Sequence, residues 1–313
     1  MQRHKGAPVI AMFYDLNVLW NPTSTQEIAR TLAFLAELGY NVVALNHVIS
    51  GKFPTDLTCQ IPDPLPFAIP SNLTVLRRCT LQLSEPVANA RLTALGANYD
   101  ILALRPIDEK TLQNACSNLD SDLISLDLSQ RLSFFFKFKM VAECVKRGIR
   151  FEICYSQGLL GDANARRNLI SNATQLIRAA RGGRGIIISS EAKRAVGCRG
   201  PWDAINLSTI WGLAQDRGYE AVSKQARSVV VSAKLKRTGY RGIVDVVYGG
   251  EKPEPIEKQT KGKVDDKAQL NRKRKSEDTA SGTGADDTQI SKREKKRRAK
   301  LARETEGKTG GAQ

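Results

Sequence analysis

The most constraining feature of this chain is a set of short β-branched runs that are apolar on both faces. Val42-Val43-Ala44-Leu45 and Ile186-Ile187-Ile188 do not alternate apolar with polar, as a strand with one wet face would. A strand like that must be covered on both sides, which is the situation in a parallel sheet flanked by helices. Seven such segments are predicted as strands: Met12–Leu16, Asn41–Asn46, Val75–Leu83, Asp100–Leu104, Leu123–Leu128, Phe151–Tyr155 and Gly185–Ser189.

Helical signals fall between them. Ser24-Thr25-Gln26-Glu27 reads as a capping box, opening a helix that stops at Gly39. Asp108 caps a helix to about Ser117, Phe138–Arg147 stops at Gly148, and Asp162 opens a long helix ending near Gly182. Pro201 suits the first turn of a helix reaching Gly218, and a last helix, Tyr219–Lys236, ends at Gly239. Strand and helix alternate throughout, so the expected fold is α/β, built of βα repeats. No Gly-rich dinucleotide turn follows the first strand, which favours a (β/α) TIM-like barrel over an open doubly wound sheet. No eighth strand is legible around Ser228–Val231, so the barrel is expected to be seven-stranded or distorted. The proline-rich stretch Phe53–Pro70 forms a long loop, of a length often used for contact.

Near residue 250 the composition changes. Residues 251–313 carry almost no large apolar side chains and are expected to be a disordered basic tail, because they cannot bury enough surface to offset ordering entropy. The expected organisation is an extension at 1–11, a barrel domain at 12–250 and the tail at 251–313. The tail holds 18 Lys and Arg against 12 Asp and Glu, leaving 30 against 20 in the first 250 residues. The barrel itself therefore carries a cationic surplus, which favours a polyanionic partner. Six cysteines show no CxxC spacing, and no apolar run reaches the roughly 18 residues of a membrane helix, pointing to a soluble protein of a reducing compartment.

The chemistry that is missing narrows the function. The chain has only two histidines, His4 and His47, and no P-loop, HExxH or GxSxG. Asp15 ending the first strand and His47 ending the second form a possible polar site at the rim where barrel enzymes work. Joined by Asp127, they would offer a Mg²⁺ site and support a stand-alone metal-dependent phosphoesterase. Glu152, opening the sixth strand, is a further carboxylate. More numerous are cations at positions a barrel exposes: Arg77 and Arg78 in the third strand, Arg105 ending the fourth, Lys137 and Lys139 among four phenylalanines, Arg166 and Arg167, and Arg194 and Arg199 after the seventh. Lys and Arg on phosphates, with bases stacked on aromatics, is how proteins hold RNA. Arg166 and Arg167 begin a helix, where the dipole disfavours cations, and so suggest that phosphate supplies the anion. At least two of the phenylalanines are expected in the core, and Arg181-Gly-Gly-Arg-Gly185 reads as a helix stop and turn. In the tail, Arg272-Lys273-Arg274-Lys275 and Lys292-Arg293-Glu-Lys295-Lys296-Arg297-Arg298 have the composition of nuclear-import and non-specific RNA-binding segments.

Phe13-Tyr-Asp-Leu-Asn17, Leu38-Gly-Tyr-Asn-Val-Val-Ala-Leu-Asn-His47, Tyr99-Asp-Ile-Leu-Ala103 and Phe136-Lys137 resemble, in that order, the thirty-kilodalton protein subunit family of ribonuclease P and ribonuclease MRP. The likeness continues through Phe151-Glu-Ile-Cys-Tyr-Ser156, Arg166-Arg167, Ile188-Ser-Ser190 and Arg199-Gly-Pro-Trp-Asp203, and runs from Met12 to Tyr248. The resemblance implies a barrel related to the polymerase-and-histidinol-phosphatase (PHP) phosphoesterases without their metal cluster. It also implies a non-catalytic subunit that supports a catalytic RNA in precursor tRNA and rRNA processing. The Mg²⁺ then belongs to the RNA, with no cofactor in the protein. A small ferredoxin-like subunit is the implied protein partner, no membrane is involved, and the location is the nucleus or nucleolus. Two features depart from the family pattern: residues 1–11 precede its usual start, and Arg105 stands where relatives often carry another residue.

Overall fold

A computed structural model of the chain describes residues 12–239. Seven parallel strands run β1 Tyr14–Leu19, β2 Val42–Ile49, β3 Thr74–Leu83, β4 Ile101–Pro106, β5 Leu123–Ser125, β6 Arg150–Cys154 and β7 Ile186–Ser189, each paired with the next in sequence. The helices among the described residues are α1 Thr25–Glu37, α2 Asn89–Gly96, α3 Glu109–Ser117, α4 Phe138–Lys146, α5 Ser156–Leu160, α6 Ala163–Ala179, α7 Pro201–Ile210, α8 Gln215–Val222 and α9 Lys224–Thr238. The sheet nearly closes. Past the end of β7, the Glu191 amide donates to the Asn17 carbonyl at 2.7 Å and the Leu19 amide to the Ala192 carbonyl at 3.1 Å, tying β7 back to β1.

The two apolar faces of the strands have separate destinations. In β2, Val43 and Leu45 face the surrounding helices, while Val42 and Ala44 face the barrel interior with Tyr14, Leu16, Ile101, Ala103, Leu123 and Ile187. That interior layer is closed from below by α9 through Ala226, Val229 and Ala233. Polar contacts fix the plug at the residues that lead into the strands. The Lys236 ammonium reaches Asp122 at 3.1 Å, and the Arg237 guanidinium donates to Asp122 at 2.8 Å and to the Gly96 carbonyl at 2.8 Å. The opposite mouth, at the strand C-termini, is left for function, as in other barrels of this kind.

All seven predicted strands are present, and five local readings need correction. β1 begins two residues later than expected, and β5 ends at Ser125, because the Asp127 carboxylate accepts from the Ser129 amide at 3.1 Å and turns the chain. Ser24 occupies the N-cap of α1 without a side-chain capping bond, so the predicted capping box does not form, whereas Asp108 does form one with Thr111. The helix opened by Pro201 stops at Ile210, where Gly212 takes the left-handed conformation at φ 88°. Gly218 lies inside α8, where a Cβ would stand 2.8 Å from the Ser208 hydroxyl of α7, so it serves close packing and not termination. The last predicted helix is two, α8 and α9, broken at Ser223. Helices α2 and α5 were not legible in the sequence.

Candidate functional site: a paired interior and a cationic rim

The barrel interior above the apolar layer is polar, and both of its guanidinium groups are paired with carboxylates. Arg78 on β3 and Glu152 on β6 face each other across the barrel in a bidentate ion pair with both bonds at 2.6 Å, and both side chains are wholly buried. The Arg78 guanidinium also donates to the Leu16 carbonyl at 2.7 Å and to the Thr80 hydroxyl at 3.1 Å. Thr80 passes its hydroxyl hydrogen to Asn46, Asn46 donates to Asn17, and Asn17 donates to Glu152 at 3.1 Å. The chain of bonds thus returns to the carboxylate. Burial alone would push the Glu152 carboxyl upward, but the Arg78 guanidinium overrides it and brings the value to about 2.

Nearer the mouth, Arg105 at the end of β4 pairs with Glu191 beyond β7 at 2.5 Å, and also donates to the Ser125 carbonyl at 3.1 Å. Glu191 sits in the left-handed region at φ 53°, which for a side chain of this size is strained and is maintained by the surrounding bonds. Burial pushes its carboxyl up, and Arg105 opposes the shift.

These observations relocate several expected site residues. Arg78 is the most buried of the cations and not an exposed one. Arg105 is turned into the mouth with its side chain 14 % exposed, apart from the outer cations. Arg77, one residue from Arg78, points outward to Asp63 and Asp100. Asp15 is fully buried near the start of β1 and accepts from the Ser190 amide at 3.0 Å and the Asn17 amide at 3.2 Å. Burial drives its carboxyl up to about 6. His47 lies in the outer layer, its Nδ1 3.0 Å from the Tyr99 hydroxyl. The same hydroxyl accepts from the Gln60 amide at 3.2 Å, so it links His47 to the proline-rich loop. Burial lowers the His47 pKa and so favours the neutral ring. Asp15, His47 and Asp127 therefore each have separate partners. Among the described residues no three His, Cys, Asp or Glu side chains are placed to hold a metal ion.

The remaining cations belong to the segments after β5, β6 and β7, three neighbouring strands whose C-terminal loops form one arc of the mouth. Lys137 and Lys139 flank the start of α4, Arg166 and Arg167 sit in the first turns of α6, and Arg194 and Arg199 bracket the short turn before α7. Lys137 and Arg194 pair with Glu109 and Glu27, but each is 70 % exposed, so these ion pairs hold weakly and can be exchanged for another anion. Arg199 bonds to the carbonyls of Val196 and Cys198. Arg166 and Arg167 are both exposed and have no carboxylate partner among the described residues. The argument from the helix dipole changes here, since Asp162 already accepts from the Ala165 amide at 2.7 Å and supplies the anion at the start of α6. Of the four phenylalanines, Phe134 and Phe136 pack edge to face in the core, while Phe135 is 76 % and Phe138 39 % exposed. The import-like clusters Arg272–Lys275 and Lys292–Arg298 lie outside the described residues.

The interior network was missed at the sequence level, although a signal existed. Arg78 and Glu152 are single charges inside otherwise apolar strands, and a charge that cannot reach solvent from such a strand must find its opposite across the barrel. Glu191, Asn17 and Asn46 gave no comparable signal.

Fold and site define the class: a seven-stranded TIM-like barrel with two guanidinium–carboxylate pairs inside it and a row of cations on the loops that follow β5, β6 and β7. The family model described as RNase P subunit p30 matches residues 12–238, nearly the whole of the described barrel. This chain belongs to that family. It is 40 % identical to the probable ribonuclease P protein subunit 3 of Schizosaccharomyces pombe over 236 residues, covering 75 % of this chain and 99 % of the relative. It is 34 % identical to ribonuclease P protein subunit p30 of Mus musculus, over 71 % of this chain and 85 % of that one. Ribonuclease P/MRP protein subunit RPP1 of Saccharomyces cerevisiae is 32 % identical, with 76 % and 86 % covered. Among solved structures, a chain of an archaeal ribonuclease P determined by cryo-EM with mature tRNA shares the fold at a TM-score of 0.53. It is 15 % identical and matches over 79 % of this chain and 100 % of that one.

Proposed function

We propose that this protein is a non-catalytic subunit of a ribonuclease P particle, shared with ribonuclease MRP, that binds and supports the catalytic RNA. Its work is then in precursor tRNA 5′-leader removal and in rRNA processing. The observation that carries the reading is the separation of charge in the barrel. The interior Arg–Glu pairs match charge with charge, while Lys137, Lys139, Arg166, Arg167 and Arg194 lie exposed along one arc of the rim, with the half-buried Arg199 beside them. Such cations neutralise phosphates and release counterions. The Mg²⁺ chemistry belongs to the RNA in this reading, a small ferredoxin-like subunit binds the barrel, and the basic tail directs the chain to the nucleus and nucleolus.

The test is a salt titration of RNA binding by the full chain and by the Arg166→Ala/Arg167→Ala variant. Each phosphate contact contributes roughly 0.7–0.9 to the slope of log affinity against log salt. The double variant should bind more weakly at low salt and lose a slope of about 1.5. An unchanged affinity and slope would remove these arginines from the RNA interface.

A further inference from the structure

Away from the mouth, α4 and the end of α6 enclose a groove of about 420 Å³. Its floor is aliphatic: Val141, Ala142 and Val145 from α4, with Ala179 at the end of α6 and Ala180 just after it. Its edges carry Lys146, Arg181 and Arg184, all exposed. None of the three pairs with a carboxylate among the described residues. Glu143, the acidic residue of α4, reaches away toward Ser117 of α3.

Arg181 is the informative residue. It takes the left-handed conformation at φ 51°, which costs a non-glycine residue roughly 1 kcal/mol or more. Gly182, Gly183 and Gly185 in the same turn adopt positive φ as glycines ordinarily do. At position 181 the backbone would be served better by glycine, yet the chain carries an arginine there. Its guanidinium lies 4.1 Å from the centre of the Phe138 ring, which holds the charge at the groove edge.

We propose that this groove docks an acidic segment of another protein subunit, aliphatic side chains on the floor and carboxylates on Lys146, Arg181 and Arg184. The proposal rests on the reading of the chain as a particle subunit. Charge complementarity selects the occupant. The tail of this chain, with 18 Lys and Arg against 12 Asp and Glu, and a second copy of the barrel, with 30 against 20 in its first 250 residues, would both bring like charge. RNA is disfavoured by the floor. One face of Phe138 is already covered by Arg181, and the remaining side chains are aliphatic and offer no platform for a base. An amphipathic segment laid into an apolar groove between helices is an established mode of recognition.

The test places a photo-crosslinking benzoylphenylalanine at exposed Ala142 in the full chain and purifies the assembled particle before irradiation. The expected product is an adduct on an aliphatic, net-acidic segment of a different protein subunit. The expected effect of Arg181→Glu with Arg184→Glu is at least a tenfold loss of that adduct. An adduct on RNA, on a second copy, on this chain's own tail or on a non-acidic protein segment overturns the proposal, as does the absence of any adduct. The particle RNA is scored in the same purification. Its absence refutes the particle reading, while its presence without the acidic adduct refutes the groove alone.

Discussion

Replacing Arg78 by Met would leave the Glu152 carboxylate in the barrel interior without its cation and deprive the Leu16 carbonyl and Thr80 of their donor. Two routes give the size of the effect. Breaking one side of a buried ion pair costs about 3–5 kcal/mol. Independently, Glu152 has its value held near 2 against about 4.5 when unfolded, and that difference corresponds to about 3 kcal/mol at neutral pH. For a barrel of this size the expected loss in Tm is roughly 10 °C. The sign with pH follows from the lowered value. The contribution of Glu152 in the native protein is fully present above about pH 4.5 and is lost as pH falls through about 2. In the Arg78→Met variant the carboxyl is left with its burial, so its folded value rises above the unfolded one and the penalty grows from about pH 4.5 upward. The stability gap between the two proteins should therefore narrow as pH is lowered from 7 toward 4. The assay is urea unfolding followed by far-UV circular dichroism, repeated on Glu152→Leu and on the double variant. The double variant should be more stable than the sum of the two single losses by several kcal/mol, since neither charge is left alone. Strict additivity, or a gap independent of pH, would show that the pair does not act as argued.

Two further substitutions test the outlying polar residues. Asp15, raised to about 6 by burial, opposes stability at neutral pH and favours the folded state as pH falls from about 6 to 3.8, by roughly 3 kcal/mol. Asp15→Asn keeps an oxygen for the Ser190 and Asn17 amides, and should flatten the stability curve in that window; an undiminished slope would refute the assignment. Tyr99→Phe removes the hydroxyl that bonds to His47 and accepts from the Gln60 amide, at an expected cost of about 1–3 kcal/mol, with faster hydrogen exchange at Gln60. Because His47 is lowered by burial, its contribution is present above its unfolded value and lost as pH falls through the folded one; an unchanged Gln60 exchange rate would argue against the link.

The fold was legible because its cause is local. Non-alternating β-branched runs report a sheet covered on both faces, and this located all seven strands although the bounds moved by a few residues. The helix readings failed where a residue type has two uses. Gly218 looks like a stop in sequence, but only the approach of Ser208 shows it as a packing position. The site was legible in part. The exposed cations of the rim follow from their places after strands, whereas Arg78 and Arg105 differ from them through partners that are 74 and 86 residues away in sequence. His47 and Asp15 were placed at a common rim by counting strand ends. Strand alternation and a bulge in β1 between Asp15 and Val18 direct them to different surroundings.

The stacked Arg78–Glu152 and Arg105–Glu191 pairs also bear on what the mouth can do. A barrel enzyme keeps a base, nucleophile or metal ligands unsatisfied at the strand C-termini, poised for substrate. Here Glu152 and Glu191 each face a guanidinium group, and Glu152 is held far below the range in which it could serve as a base at neutral pH. Discharging either pair to bind a small ligand would expose a buried charge at a cost of several kcal/mol. The exposed Lys137 and Arg194 pairs can instead be traded for phosphate at little cost, since such pairs are worth at most about 1 kcal/mol. The free-energy gradient thus runs outward, from an interior that resists a ligand to a rim that accepts one. That arrangement is consistent with the RNA partner proposed above, which is too large to enter the barrel and charged enough to hold its edge.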